Sequence, residues 1–477
     1  MSTKSVSPDP EKQEHSVDAL GVHDDKIETL NVLDGPAPAP VDPTSLWGRS
    51  LALSATLERK SASRPAASSV MLIVFFTNAA TCVLPAYMAT FGPKLGLRQM
   101  TSARYSWGWH GAKVVALLNC IACVGWSAIN TIAGAQTLRA VADETISDAA
   151  GVVIIAIITL ALGMLGYKYV HIYEKWSWIP TAITFFVVLG CAAKDLVNVP
   201  MGTGQLEASN ALSFMGVIFG FAVGWVSLAS DYNVYQPEET PAWKTFAWTY
   251  AGLIVPLVLI EWLGAAIMCV AGGGAPSNAD WAAAYEANEL GGLLNAVLVP
   301  FCMVLLVLSV IANNIINVYS MGLSISVVGV WLAKVPRLVW PVVITAIYIP
   351  IAIAGADSFS TSLEDFMNVL GYWLAIFVTV VLLEHFVFRG GDFARYEAAE
   401  TWNRQDRTPM GIAALVAFLF GALGTAMGMA QVWYIGKIGA LVGGAVNPFG
   451  VTLGSSSPGR LRGSVPARYL ELKYIGR

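Results

Sequence analysis

Residues 70–91 read VMLIVFFTNAATCVLPAYMATF and contain no charged side chain. A hydrocarbon core about 30 Å thick is crossed by roughly 20 helical residues, so this run is long enough to span a bilayer. Outward from it, nine further apolar runs follow between short polar connectors, among them residues 114–137, 152–165, 212–230, 253–270 and 410–430. Repetition on this scale predicts a polytopic membrane protein, all α, in which function lies inside a helix bundle.

The composition agrees: 56% of residues are hydrophobic and 13% charged, with a mean hydropathy of +0.60. A net charge of −4 spread along the chain points away from nucleic acid and leaves the lipid bilayer as the first partner. Cys82, Cys120, Cys123, Cys191, Cys269 and Cys302 all fall in apolar runs, where they read as small hydrophobes rather than disulfides or metal ligands. The polar opening, with its Pro/Ala-rich stretch near Pro36 to Pro43, reads as a disordered tail over residues 1–66. The bundle then occupies 67–435, and 436–477 form an irregular C-terminal segment.

The connectors sort by charge. Lys94, Arg98, Arg104 and Lys113 mark one class, continued by Lys168 and Lys175, Lys244, Lys334 and Arg337, and Arg389 to Arg407. The alternating class carries Asp143, Glu144, Asp148, then Asp280, Glu286, Glu289, then Asp357, Glu364, Asp365. The positive-inside rule makes the basic class cytoplasmic. Both ends then conflict with that rule: Arg49, Arg59, Lys60 and Arg64 precede a run that must begin outside, and Arg460 to Arg477 follow one that must end there. One crossing is therefore expected to be missing at each end, in a twelve-span design of which ten are visible.

Several polar groups lie within apolar runs. Trp126 and Asn130 are four residues apart, hence on one helix face, where they either present a ring and an amide to a ligand or pack against a neighbouring helix. Trp225 follows Gly216, Gly220 and Gly224, a glycine-interrupted span of the kind whose exposed backbone lines a cavity. Asn313, Asn314 and Asn317 cluster in an apolar helix; Asn313 and Asn317 share a face, while Asn314 points about 100° away. Glu261 sits within residues 253–270, where an ionisable group is either functional or paired with another helix. Asp231, Glu384 and His385 lie at cytoplasmic helix ends, suited to gating or to simple solvation. His171 with Glu174, and Glu384 with His385, lack a third ligand or a nucleophile, so catalysis is not expected.

FGPKLGLRQMTSARYSWGWHGAK (91–113), GYKYVHIYEKWSWIP from Gly166, ASDYNVYQPEETPAWKTFAWTYAG from Ala229, IANNIINVYSMGLS from Ile311, GYWLAIF from Gly371, EHFVFRGGDFARY from Glu384 and RYLELKYIGR at the end together resemble the fungal purine-cytosine permeases of the nucleobase-cation symporter family. The resemblance implies a twelve-helix fold built on two inverted five-helix repeats, with substrate held near mid-membrane by broken helices one and six. The visible runs are then helices two to eleven, with helix one lost between Lys60 and Ser68. Residues 450–466, GVTLGSSSPGRLRGSVP, stand where members carry GGDVGFELA and an apolar last helix. A one-base frame shift relates VTLGSSSP to GDVGFELA.

The resemblance further implies import of cytosine, adenine, guanine or hypoxanthine with a coupled cation, a proton in fungal members, across the plasma membrane and without a cofactor. It assigns base contacts to Trp126, Asn130, Trp225, Asn313 and Asn317, and leaves Ser309 as the hydroxyl nearest the family's cation site. Loss of helix one would favour the alternative of a truncated, non-transporting or regulatory product.

Overall fold

Lipid offers no hydrogen bonds, so a backbone crossing it must satisfy its own groups, and each of the apolar runs is helical for that reason. The computed structural model describes residues 66–164, 167–197, 205–272, 279–329, 331–336, 338–431, 434–443 and 468. The chain divides into two units, of which Met1–Asp42 lies wholly outside the described residues and Pro43–Arg477 contains the bundle. The principal helices are α1 (Ala66–Thr81), α2 (Arg104–Val141), α3 (Asp148–Met164), α4 (Tyr167–Ala192), α5 (Gln205–Gly224), α6 (Ala242–Gly272), α7 (Ala279–Val297), α8 (Pro300–Val328), α9 (Val339–Gly355), α10 (Phe359–Leu383) and α11 (Ile412–Gly428).

Among the described residues, seven stretches have crossing length and apolarity: Ser69–Leu95, Arg104–Val141, Lys175–Ala192, Ala242–Ala271, Pro300–Val328, Val339–Ser358 and Ser362–Phe388. Three shorter apolar helices, Asp148–Met164, Ala211–Ser227 and Ile412–Gly428, fall where further spans were expected. Among the described residues, seven full-length stretches and three shorter apolar helices thus stand at the ten positions where runs were expected. The junction residues 61–65 and the 450–466 stretch lie outside the described residues. Beyond α11, Ala430–Gln431 and Tyr434–Ile435 pair antiparallel, Ala430 opposite Ile435, and Lys437–Gly443 is a short helix within the segment expected to be irregular.

The bundle is organised around α2, which packs most extensively along α8. Asn119 Nδ2 donates to Ser324 Oγ (2.8 Å) and Asn314 Nδ2 to Thr131 Oγ1 (3.2 Å), so the two helices run antiparallel. Small residues set the close crossings, as expected where apolar area alone gives helices no reason to associate. A Cβ on Gly220 of α5 would stand 2.2 Å from the Met367 carbonyl of α10. The outer helices face lipid instead: the α6 window is 17% buried against 72% for the α10 span.

The start of α2 meets the entry to α11 backbone to backbone. Gly108 (φ 74°) and Gly411 (φ 84°) both adopt left-handed backbone, and a Cβ on Gly411 would lie 2.0 Å from the Trp107 carbonyl. Gly411→Ala is expected to cost about 1–3 kcal/mol through strain alone, with more from the clash. Thermal unfolding of the detergent-purified variant checks this.

Candidate functional site

The expected base contacts sit on three elements: α2 carries Trp126 and Asn130, the turn after α5 carries Trp225, and α8 carries Asn313 and Asn317. On α2, the part-buried Trp126 ring meets Phe221 of α5 (centroids 5.4 Å, 80°) and Phe366 of α10 (5.5 Å, 86°), both edge to face. Such pairs contribute about 0.5–1.5 kcal/mol beyond their buried area and hold an indole in one orientation. A Cβ on Gly224 would stand 3.4 Å from Trp126 Cζ2, so a glycine there lets α5 lie against the ring.

One turn along α2, Asn130 Nδ2 is buried with no hydrogen-bond partner in the structure. An unmatched buried donor costs about 1–3 kcal/mol. It stands one helical turn from Trp126, on the same face of α2.

The glycine-rich helix breaks where the spacing predicted. α5 stops at Gly224, Trp225–Ser227 form a 3-10 turn, Leu228 leaves helical geometry (φ −124°, ψ −12°), and helix resumes over Ala229–Asn233. Trp225 opens that break, part-buried, next in sequence to the glycine on which Trp126 rests, with its ring 6.5 Å from Tyr232.

The three asparagines of α8 separate. Asn314, fully buried, is tied to Thr131 and serves helix packing. Asn317 is buried, Asn313 is exposed, and Asn317 Nδ2 lies 3.4 Å from the Asn313 carbonyl one turn back. Ser309 donates to the Leu306 carbonyl of its own helix (2.8 Å).

Two expected residues lie elsewhere. Glu261 of α6 accepts from Asn78 Nδ2 of α1 at 2.7 Å, and neighbouring Trp262 donates to the Met71 carbonyl. The carboxyl is therefore hydrogen-bonded at the α1–α6 interface. Asp231 accepts the Gln99 backbone N–H (2.9 Å) at the connector between α1 and α2. Burial pushes its carboxyl up to about 6, against the pull of that N–H and of Arg98. Glu384 is engaged by Arg389 and Arg468, and His385 Nδ1 lies 3.1 Å from the Tyr396 hydroxyl. The His171 and Glu174 side chains lie outside the described residues.

Sequence reasoning missed Phe221 and Phe366, whose contacts with Trp126 are tertiary. It also missed Asn78, although an amide in the middle of residues 70–91 carried the same signal as Glu261.

Residues 67–451 match the family described as permease for cytosine/purines, uracil, thiamine, allantoin. The chain is 43% identical over 376 residues, 77% of this chain and 73% of the relative, to the purine-cytosine permease FcyB of Emericella nidulans. It is 30% identical, across 83% of this chain and 77% of the relative, to the vitamin B6 transporter TPN1 of Saccharomyces cerevisiae. In three dimensions it resembles Mhp1, a nucleobase-cation-symport-1 family transporter solved closed with bromovinylhydantoin bound. The TM-score is 0.62 over 92% of this chain and 96% of that one, at 14% identity.

Proposed function

Since the chain belongs to the family of permeases for cytosine and purines, uracil, thiamine and allantoin, we propose that it carries purine bases and cytosine inward with a coupled proton. It is a multi-pass membrane protein, a transporter and not an enzyme. The plasma membrane is the compartment in which such import is useful.

The observation that carries the base assignment is the orphaned Asn130 amide beside Trp126. The bound ring stacks on Trp126, with Trp225 as the second aromatic face, and stacking of this kind contributes about 1–3 kcal/mol per base. Asn130 meets the ring's acceptor edge, and Asn313 and Asn317 supply further amides from α8. Transport follows if the α5 break and its neighbours rock against the α2–α8 pair so that the site opens to one side at a time. Glu261 and Asp231 are the coupling candidates, Glu261 as the intramembrane carboxyl and Asp231 as a gate at the cytoplasmic connector, with Ser309 a lesser one.

The match to FcyB, stronger than that to the vitamin B6 transporter, favours bases over pyridoxine. It does not favour the non-transporting alternative. The test is competition for labelled cytosine uptake in cells stripped of their own nucleobase permeases. Adenine, guanine and hypoxanthine should compete and pyridoxine should not; the reverse order would overturn the assignment.

A further inference from the structure

Helix α7 carries a backbone distortion at Asn288 (φ −157°, ψ 41°) and Glu289 (φ 35°, ψ −116°). A side-chain-bearing residue at positive φ with such a ψ is costly, on the order of 1–3 kcal/mol, and persists only where surrounding contacts hold it. Those contacts converge on one carboxylate. Glu289 Oε2 accepts from Gln136 Nε2 at the end of α2 (3.0 Å) and from the Phe359 backbone N–H at the start of α10 (3.2 Å). Oε1 accepts from the Ser360 hydroxyl (3.0 Å) and, at longer range, the Ser360 N–H (3.5 Å).

The distortion also brings Asn288 Nδ2 to the Gln136 carbonyl (3.1 Å) and packs Gly291 so closely that a Cβ would lie 2.3 Å from the same oxygen. Three elements are thus pinned at one point. A carboxylate on the first N–H groups of a helix is favoured by the helix dipole, and charge-assisted bonds are roughly twice as strong as neutral ones. α10 runs on from Ser360 to Phe366, which lies against Trp126 and the backbone of Gly125.

From this geometry we infer that Glu289 is the outer clasp of the transporter: it holds α7 across the ends of α2 and α10 and thereby keeps Phe366 closed over the Trp126 face. The inference rests on the proposed site for its functional meaning, but the clasp is a property of the structure and is testable apart from it.

The experiment places a cysteine at position 366 in the full chain. Its labelling by a membrane-impermeant maleimide added outside is then followed over the background from native cysteines. Glu289→Ala should raise the labelling rate at least ten-fold. Glu289→Gln, which keeps the shape and loses the charge, should raise it by a smaller factor and carries the test if the alanine variant does not reach the membrane. An unchanged rate in the variants that reach the membrane overturns the clasp. Protection of the cysteine by cytosine reads the site separately: raised labelling without protection leaves the clasp standing and removes the base assignment.

Discussion

Trp126→Ala is expected to weaken nucleobase binding by about one to two orders of magnitude or more. The substitution removes a stacking face worth about 1–3 kcal/mol, a factor of roughly 5 to 150 in affinity. It also frees Phe221 and Phe366, whose edges meet that ring, so the remaining pocket loses its shape as well. Trp126→Phe should keep part of the stacking and recover part of the affinity. Asn130→Ala separates the two contributions: it removes a donor that is unmatched in the empty protein, so stability should hold or rise slightly while affinity falls. Equilibrium binding of labelled cytosine beside thermal unfolding of the same preparations reads both. A fall in stability with unchanged affinity would return Asn130 to a packing role.

Glu384→Ala is expected to have the largest effect on stability. Its carboxylate, 4% exposed, sits in the π-helical turn Glu384–Phe388 that ends the α10 span. Arg468 approaches it with two nitrogens, Nε at 3.0 Å and Nη2 at 3.2 Å, and Arg389 with Nε at 3.2 Å. Arg389 also lies 4.1 Å from the Tyr396 ring centroid and 5.4 Å from that of Tyr105. Removing the shared anion leaves two guanidiniums facing each other in a desolvated place. Loss of one partner of a buried pair typically costs about 3–5 kcal/mol. Arg468→Gln should cost less, since Glu384 keeps Arg389. A double-mutant cycle of the two should show strong coupling; additive effects would mean that Arg468 does not share the Glu384 carboxylate.

The helices were legible because lipid imposes the rule that makes them: an apolar run of sufficient length has no other way to satisfy its backbone. The break at Gly224 and Trp225 was legible because glycine spacing marks where α5 cannot stay regular. The separation of Asn314 from Asn313 and Asn317 followed from helical geometry alone, and the Asn314–Thr131 bond is its physical counterpart. Glu289 was hidden for the opposite reason. An acidic connector reads as solvated charge, and nothing in its spacing shows that Gln136 and Ser360, remote in sequence, fold back to meet it.

The central claim, a base carried inward with a proton, is tested most directly by reconstituting the purified 477-residue chain in liposomes and imposing an inward proton gradient. Labelled cytosine should accumulate above its external concentration, an accumulation collapsed by a protonophore and absent with Asn130→Ala. Uptake no greater than in protein-free liposomes would contradict it.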